Sequence, residues 1–291
     1  KIYPTKEITT NALLKIFQSI KNTAGYELKK EYQTNLQFTQ IKPKVRLVDN
    51  SNKALLPDSK SLILPFEAVG LSAVDVTVIR IFEDNVLQYL QVNSLGQQRQ
   101  ITRVGRPVAK TTIPLNTSGV TNLNQWNRFI LNLEDLFKAE TGAIYQISIN
   151  FRKKHSLYFC PSDDSNIESI EDNLDEWGAQ DEFSYWDNYE NSYNSNYDWS
   201  QRDNPCSNSY YTSRNKVQKI LFASNFGIIA KKRDKGDISI FVTDLLTTKP
   251  IPDVLIQLFD YQQQKLTEGK TNNEGKLILS GKGSPFVVIA K

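Results

Sequence analysis

The residues whose type and spacing point most directly to chemistry are two cysteines, Cys160 and Cys206, 46 positions apart at the ends of an acidic stretch. Two lone cysteines cannot build a structural zinc site, and neither lies in a Cys-x-x-Cys redox motif. One alternative is a pair of free thiols in a reducing compartment. The other is a disulfide that closes the intervening loop, which the chain-entropy model values at about 4 kcal/mol. Placement at both edges of the stretch favours the bridge, and with it an oxidising, exported location.

The single histidine, His155, lies in Arg152-Lys-Lys-His-Ser-Leu-Tyr158 at the end of a strand-like run. Any Ser-His-Asp triad would have to use it, yet no Gly-x-Ser-x-Gly signature accompanies it. Its basic neighbours work against an imidazolium, so it is expected to be a surface or partly packed strand-end residue. Carboxylate pairs (Asp163-Asp164, Glu171-Asp172, Asp181-Glu182) crowd the acidic stretch. A glycosidase couple needs rigid placement and one desolvated member, and a polar loop supplies neither. No EF-hand spacing supports calcium, and no glycine loop is present to cradle phosphate. No catalytic residue, cofactor or metal is therefore assigned. Trp177, Trp186 and Trp199 could stack on a carbohydrate or anchor a protein partner.

The elements that must position these residues are β in character. The chain has 291 residues and 39% hydrophobic content, below the roughly 45–50% of ordinary domains on a count that includes Gly. Between Pro161 and Arg214 stand 13 acidic and two basic residues, a net of −11, which leaves the remainder at +14. Those basic residues are scattered along alternating strands, so they read as a solvated β surface rather than a nucleic-acid footprint. No apolar run approaches the ~20 residues of a membrane span. The sequence contains no Met and starts at Lys1, so a processed or excised piece of a longer chain is expected.

Residues 1–41 read as the C-terminal part of a preceding β domain, with strands expected over Leu13–Ile20 and Asn35–Ile41. Residues 42–160 read as a β-sandwich: Val74, Val76 and Val78 alternate with Asp75 and Thr77. Val86–Val92, Lys110–Leu115, Arg128–Leu133 and Ile144–Phe151 are expected to continue as strands. Only Leu133–Ala139 looks helical, for two turns at most. Residues 161–214 read as an acidic, aromatic-containing insertion or interdomain loop. Residues 215–291 read as a second sandwich, with strands over Asp237–Val242, Val254–Phe259, Lys276–Leu279 and Phe286–Ala290. Asn272-Asn-Glu-Gly275 is expected as a turn in which Gly supplies positive φ.

Several strings add a resemblance. Leu64-Pro-Phe-Glu-Ala-Val69, then Ala73-Val-Asp-Val76 and Asn85-Val-Leu-Gln88, resemble a macroglobulin-like domain of bacterial α-2-macroglobulins. Arg202-Asp-Asn-Pro-Cys206, Tyr210-Tyr211 and Ala223-Ser-Asn-Phe-Gly-Ile-Ile-Ala-Lys231 are similar to the junction into the next such domain. Phe241-Val-Thr-Asp-Leu245, Pro250-Ile-Pro-Asp-Val254 and Asn273-Glu-Gly-Lys276 are similar to that domain's strands and turn. Over about residues 42–291 the resemblance implies an all-β chain of tandem macroglobulin-like (immunoglobulin-like) antiparallel β-sandwiches. It further implies a non-catalytic part of a broad-spectrum protease inhibitor, a protease trap of the bacterial cell envelope. The implied location is the periplasm or outer envelope, with a lipid anchor through a missing N-terminus as one route. Proteases would be met through the full-length protein, and neighbouring domains of the same chain are the direct partners. No Cys-x-x-Gln thioester string occurs, so none is carried over, and residues 161–214 are not assigned as the bait. The alternative is a surface adhesion or glycan-binding module that uses the loop aromatics.

Overall fold

The computed structural model describes residues 12–36, 40–49, 62–93, 101, 104–116, 119, 122–160, 197–212, 215–233, 236–280 and 283–291. Fifteen strands and one short helix occupy the described residues. An antiparallel hairpin comes first, β1 (Ala12–Ile16) with β2 (Tyr32–Leu36). The chain between them is a β connection rather than a helical turn, since Leu28 N donates to Ile20 O and Lys21 bridges Glu27. No residue of 12–36 is buried.

The first sandwich packs two sheets face to face. One has the order β3 (Lys44–Leu47), β4 (Ile63–Val69), β7 (Asn127–Asn132). The other has the order β6 (Gly105–Pro114), β5 (Ala73–Ile81), β8 (Ile144–Asn150), β9 (Val217–Phe222). Alternation sends Leu64, Phe66 and Ala68 inward against Val74, Val76, Val78, Tyr145, Ile147 and Leu221. Phe66 stacks on Phe129 with ring centroids 5.5 Å apart.

The opposite face of the four-stranded sheet is also covered, which decides the conformation of Val86–Val92. That segment is the helix α1, not the strand expected from its composition. Val86, Tyr89 and Leu90 recur at i, i+3 and i+4 and pack over the outward Ile81, Ile144 and Ile220. A strand would have set Gln88 on one face with Val86 and Leu90. Burial pushes the Tyr89 phenol up to about 12. The one helical expectation, Leu133–Ala139, shrinks to a single 3₁₀ turn, Leu133–Asp135.

The second sandwich pairs β10 (Phe226–Lys232), β11 (Ile238–Asp244) and β14 (Lys276–Leu279) with β13 (Lys265–Lys270), β12 (Leu255–Phe259) and β15 (Val287–Ala290). Its core is thin: Ile238, Ile240, Val242, Val254, Ile256, Leu258 and Leu279. The boundary expected at residue 215 moves. β9 pairs with β8 along six residues, so it completes the first sandwich, and the second sandwich takes its first strand from Phe226. The physical reason is that β9 is buried on both faces: Leu221 points into the sandwich, while Ile220 lies under α1.

Candidate functional site

The residues that could do chemistry gather where the chain leaves the first sandwich and returns to it. Strand register places Asp75 of β5 opposite Thr112 of β6 on one side and Asn150 of β8 on the other. Two residues past Asn150, Arg152 folds back over this row. Its Nε donates to Asp75 Oδ2 at 2.7 Å and its Nη2 to Oδ1 at 2.9 Å, a bidentate pair. The Thr112 hydroxyl donates to Asp75 Oδ1 at 2.6 Å. Asp75 is thus a buried carboxylate, 8% exposed, whose charge is met from two sides.

His155 closes the cluster. It ends the 3₁₀ turn Lys153–His155 and is 5% exposed, which corrects the expectation of a surface or partly packed residue. Burial, more than its basic neighbours, lowers its pKa below the ordinary histidine value; Asp75 pulls the other way, and Arg152 and Lys154 add to the lowering. Its Nδ1 accepts from Arg152 N at 3.4 Å and lies 3.7 Å from Asp75 Oδ2. The Arg152 N contact suits a ring whose Nδ1 carries no proton, and the ring buttresses the turn. Ser72 N and Ser72 Oγ both donate to the His155 carbonyl, at 2.8 and 3.0 Å. The hydroxyls beside the histidine are engaged, and the cluster holds the chain rather than activating a nucleophile.

Downstream, the chain is pinned residue by residue. Ser156 bridges Leu71, Leu157 N donates to Gly70 O, and Phe159 N donates to Gln40 Oε1. Cys160 and Cys206 are joined by a disulfide. The returning segment 197–212 carries its own anchors. The Tyr210 hydroxyl donates to Pro43 O at 2.7 Å and Tyr211 to Pro205 O at 2.7 Å. Both rings pack on Phe151, Tyr211 edge-on at 5.9 Å. Burial pushes the Tyr210 phenol up to about 12. Both edges of the acidic stretch are thereby fixed to one end of the first sandwich.

Of the three tryptophans singled out, Trp199 is 67% exposed, and the Arg202 guanidinium covers one face of its ring at 4.1 Å. Trp177, Trp186 and the carboxylate pairs from Asp163 to Glu182 lie outside the described residues. Among the described residues no group of three or more His, Cys, Asp or Glu side chains is gathered as a metal site. No helix of the described residues is long and apolar enough to cross a membrane. Sequence reasoning missed the Asp75–Arg152 pair. Its one signal was an acid inside the apolar run Ala73-Val-Asp-Val76, which is costly to bury without a counter-ion.

Residues 223–291 match the family model described as the bacterial alpha-2-macroglobulin MG3 domain. Among solved structures, the fold superposes on native alpha-2-macroglobulin from Escherichia coli spanning domains MG0-NIE-MG1. The TM-score is 0.54 at 17% identity, over 97% of this chain and 71% of that one. A crystal structure of the same E. coli protein spanning NIE-MG1 gives 0.50 at 16% identity, over 86% and 93%. The cryo-EM reconstruction of the native E. coli protein gives 0.54 at 16% identity, covering 98% of this chain and 14% of that one. At such identities these neighbours show the shared fold. No curated protein sequence matches significantly. The family resemblance and the all-β, macroglobulin-like sandwich architecture drawn from the sequence are both borne out.

Proposed function

Taking as premise a chain that carries a bacterial alpha-2-macroglobulin MG3 domain and shares its fold with E. coli alpha-2-macroglobulin, we propose that it is a framework segment of an envelope protease trap. In this reading the two sandwiches carry no chemistry of their own. They hold neighbouring domains in register while other parts of a longer protein meet the protease. The observation that carries it is the continuity of the match: one family model covers the second sandwich, and one fold covers nearly the whole chain. The site geometry supports it, because the only histidine and its neighbouring carboxylate are spent on fixing the chain. The disulfide favours an exported, oxidising location.

The test is a protection assay on the longer protein that contains these domains. After incubation with a broad-specificity protease, cleavage of a large protein substrate should fall while cleavage of a small chromogenic peptide persists. Equal activity on both, across several proteases, overturns the proposal. Among the described residues the glycan-binding alternative can call on Trp199, which is 67% exposed with Arg202 over one ring face. A glycan array in which Trp199→Ala abolishes binding would favour that alternative.

A further inference from the structure

Helix α1 does more than cover the outer face of the four-stranded sheet. Its last turn meets the Asp260–Gln264 turn of the second sandwich, 170 residues further along the chain. Gln91 Nε2 donates to the Tyr261 carbonyl at 2.5 Å, and Gln263 Nε2 donates to Gln91 Oε1 at 2.9 Å. The Tyr261 hydroxyl reaches back toward Gln91 O at 3.5 Å. One turn before the helix, Glu83 pairs with Lys291, the residue after β15. The Gln91 carboxamide is used at both ends, as donor and as acceptor, so neither Glu nor an apolar residue reproduces it.

The covalent connection between the sandwiches is very short. Ala223 belongs to the first: Ala223 N donates to Ala143 O at 2.9 Å, and Gly142 N donates to Ala223 O at 2.6 Å. Asn225 belongs to the second, its carbonyl accepting from Leu245 N at 2.8 Å. Ser224 lies between them, 8% exposed, its N donating to Phe222 O at 2.8 Å and its Oγ accepting from Phe226 N at 3.1 Å, so the joint is short and bonded only to its immediate neighbours. A one-residue joint supplies a pivot with two soft dihedrals, and a pivot by itself does not set an angle. A second point of attachment does.

We propose that Gln91, the Tyr261–Gln263 turn and the Glu83–Lys291 pair form a releasable clasp that sets the angle between the two sandwiches, with Ser224 as the pivot. The clasp is polar, and the core beneath α1 and the core of the second sandwich share no residue. Opening it exposes hydrogen-bonding groups that water can satisfy and breaks no common hydrophobic core, so the sandwiches can separate while each stays folded. The exposed ion pair makes the closed angle sensitive to salt. The clasp stands independently of the protease-trap reading.

The experiment measures interdomain distance in the whole chain. Spin labels at Ile130→Cys in β7 and Glu274→Cys in the turn before β14 report one distance across the joint. The native disulfide leaves the other two cysteines unreactive. The parent should give one narrow distance distribution at low salt. Gln91→Ala should at least double its width while each sandwich keeps its melting temperature within about 2 °C. Glu83→Lys should broaden it too, and Glu83→Lys combined with Lys291→Glu should restore the narrow distribution, an outcome a purely local folding role would not produce. A Gln91→Ala distribution as narrow as the parent's, or a parent already as broad as the variant, overturns the proposal.

Discussion

Replacing Arg152 by Met keeps most of the side chain's apolar stem and removes its charge, leaving Asp75 buried with one hydroxyl partner, Thr112. Breaking a buried pair by removing one member costs about 3–5 kcal/mol. Two features reduce that figure here. The Thr112 bond survives, and the Arg152 side chain is 27% exposed, so water reaches part of the vacated site. The expected loss is therefore about 2–3 kcal/mol at pH 7.5, or a fall in Tm of roughly 4–12 °C for a domain of this size. Urea unfolding followed by tryptophan fluorescence reads the right unit. All four tryptophans precede residue 200, and Trp126 packs under Arg46 in the three-stranded sheet.

The same variant carries a pH signature. In the parent, burial holds the folded pKa of His155 below the unfolded value of about 6.5. The unfolded chain therefore binds more protons below that value. The stability owed to the neutral ring is complete above about pH 6.5 and is lost as pH falls through the lower folded pKa. Without Arg152, one lowering influence is gone and Asp75, which raises the histidine, has lost its bidentate partner. His155 then takes up its proton at higher pH and partly compensates the carboxylate. The cost of Arg152→Met should accordingly be smaller at pH 5.5 than at pH 7.5, and a variant that also carries His155→Gln should lose that difference. A cost under about 0.5 kcal/mol at pH 7.5, or one that does not change with pH, would refute the reasoning.

Two further outcomes follow from the same structure. Cys160→Ser with Cys206→Ser should lower stability by up to about 4 kcal/mol, and thiol titration of the denatured, unreduced parent should find no free thiol; two free thiols would show that the bridge does not form. Gly275 has φ +66°, and a Cβ there would lie 2.4 Å from Val242 O, a carbonyl of β11. Gly275→Ala should therefore destabilise the second sandwich by more than the roughly 1 kcal/mol of a simple glycine backbone effect. Thermal unfolding followed by circular dichroism measures it, and an unchanged melting curve would contradict the close approach.

Period-two alternation determined much of the strand content from sequence alone. Val74, Val76 and Val78 point inward as their spacing implies, and Lys276–Leu279 has the expected bounds. The Asn272-Asn-Glu-Gly275 turn was equally legible, because its constraint is local: Asn272 Oδ1 accepts from Glu274 N and Lys276 N, and Gly275 takes the positive φ. Features settled by distant partners were not legible. Val86–Val92 has a composition that suits either period, and it is a helix because Ile81, Ile144 and Ile220 present an apolar face that needs a cover. β9 joins the first sandwich beside β8 because both its faces find partners there, Leu221 inside the sandwich and Ile220 under α1. Asp75, Arg152 and His155 are up to 80 positions apart, and only strand register and a 3₁₀ turn bring them within bonding distance. Local sequence fixes backbone preference over a few residues. Which faces meet, and which charges share a buried site, depends on contacts whose energy exists only once the sheets have packed.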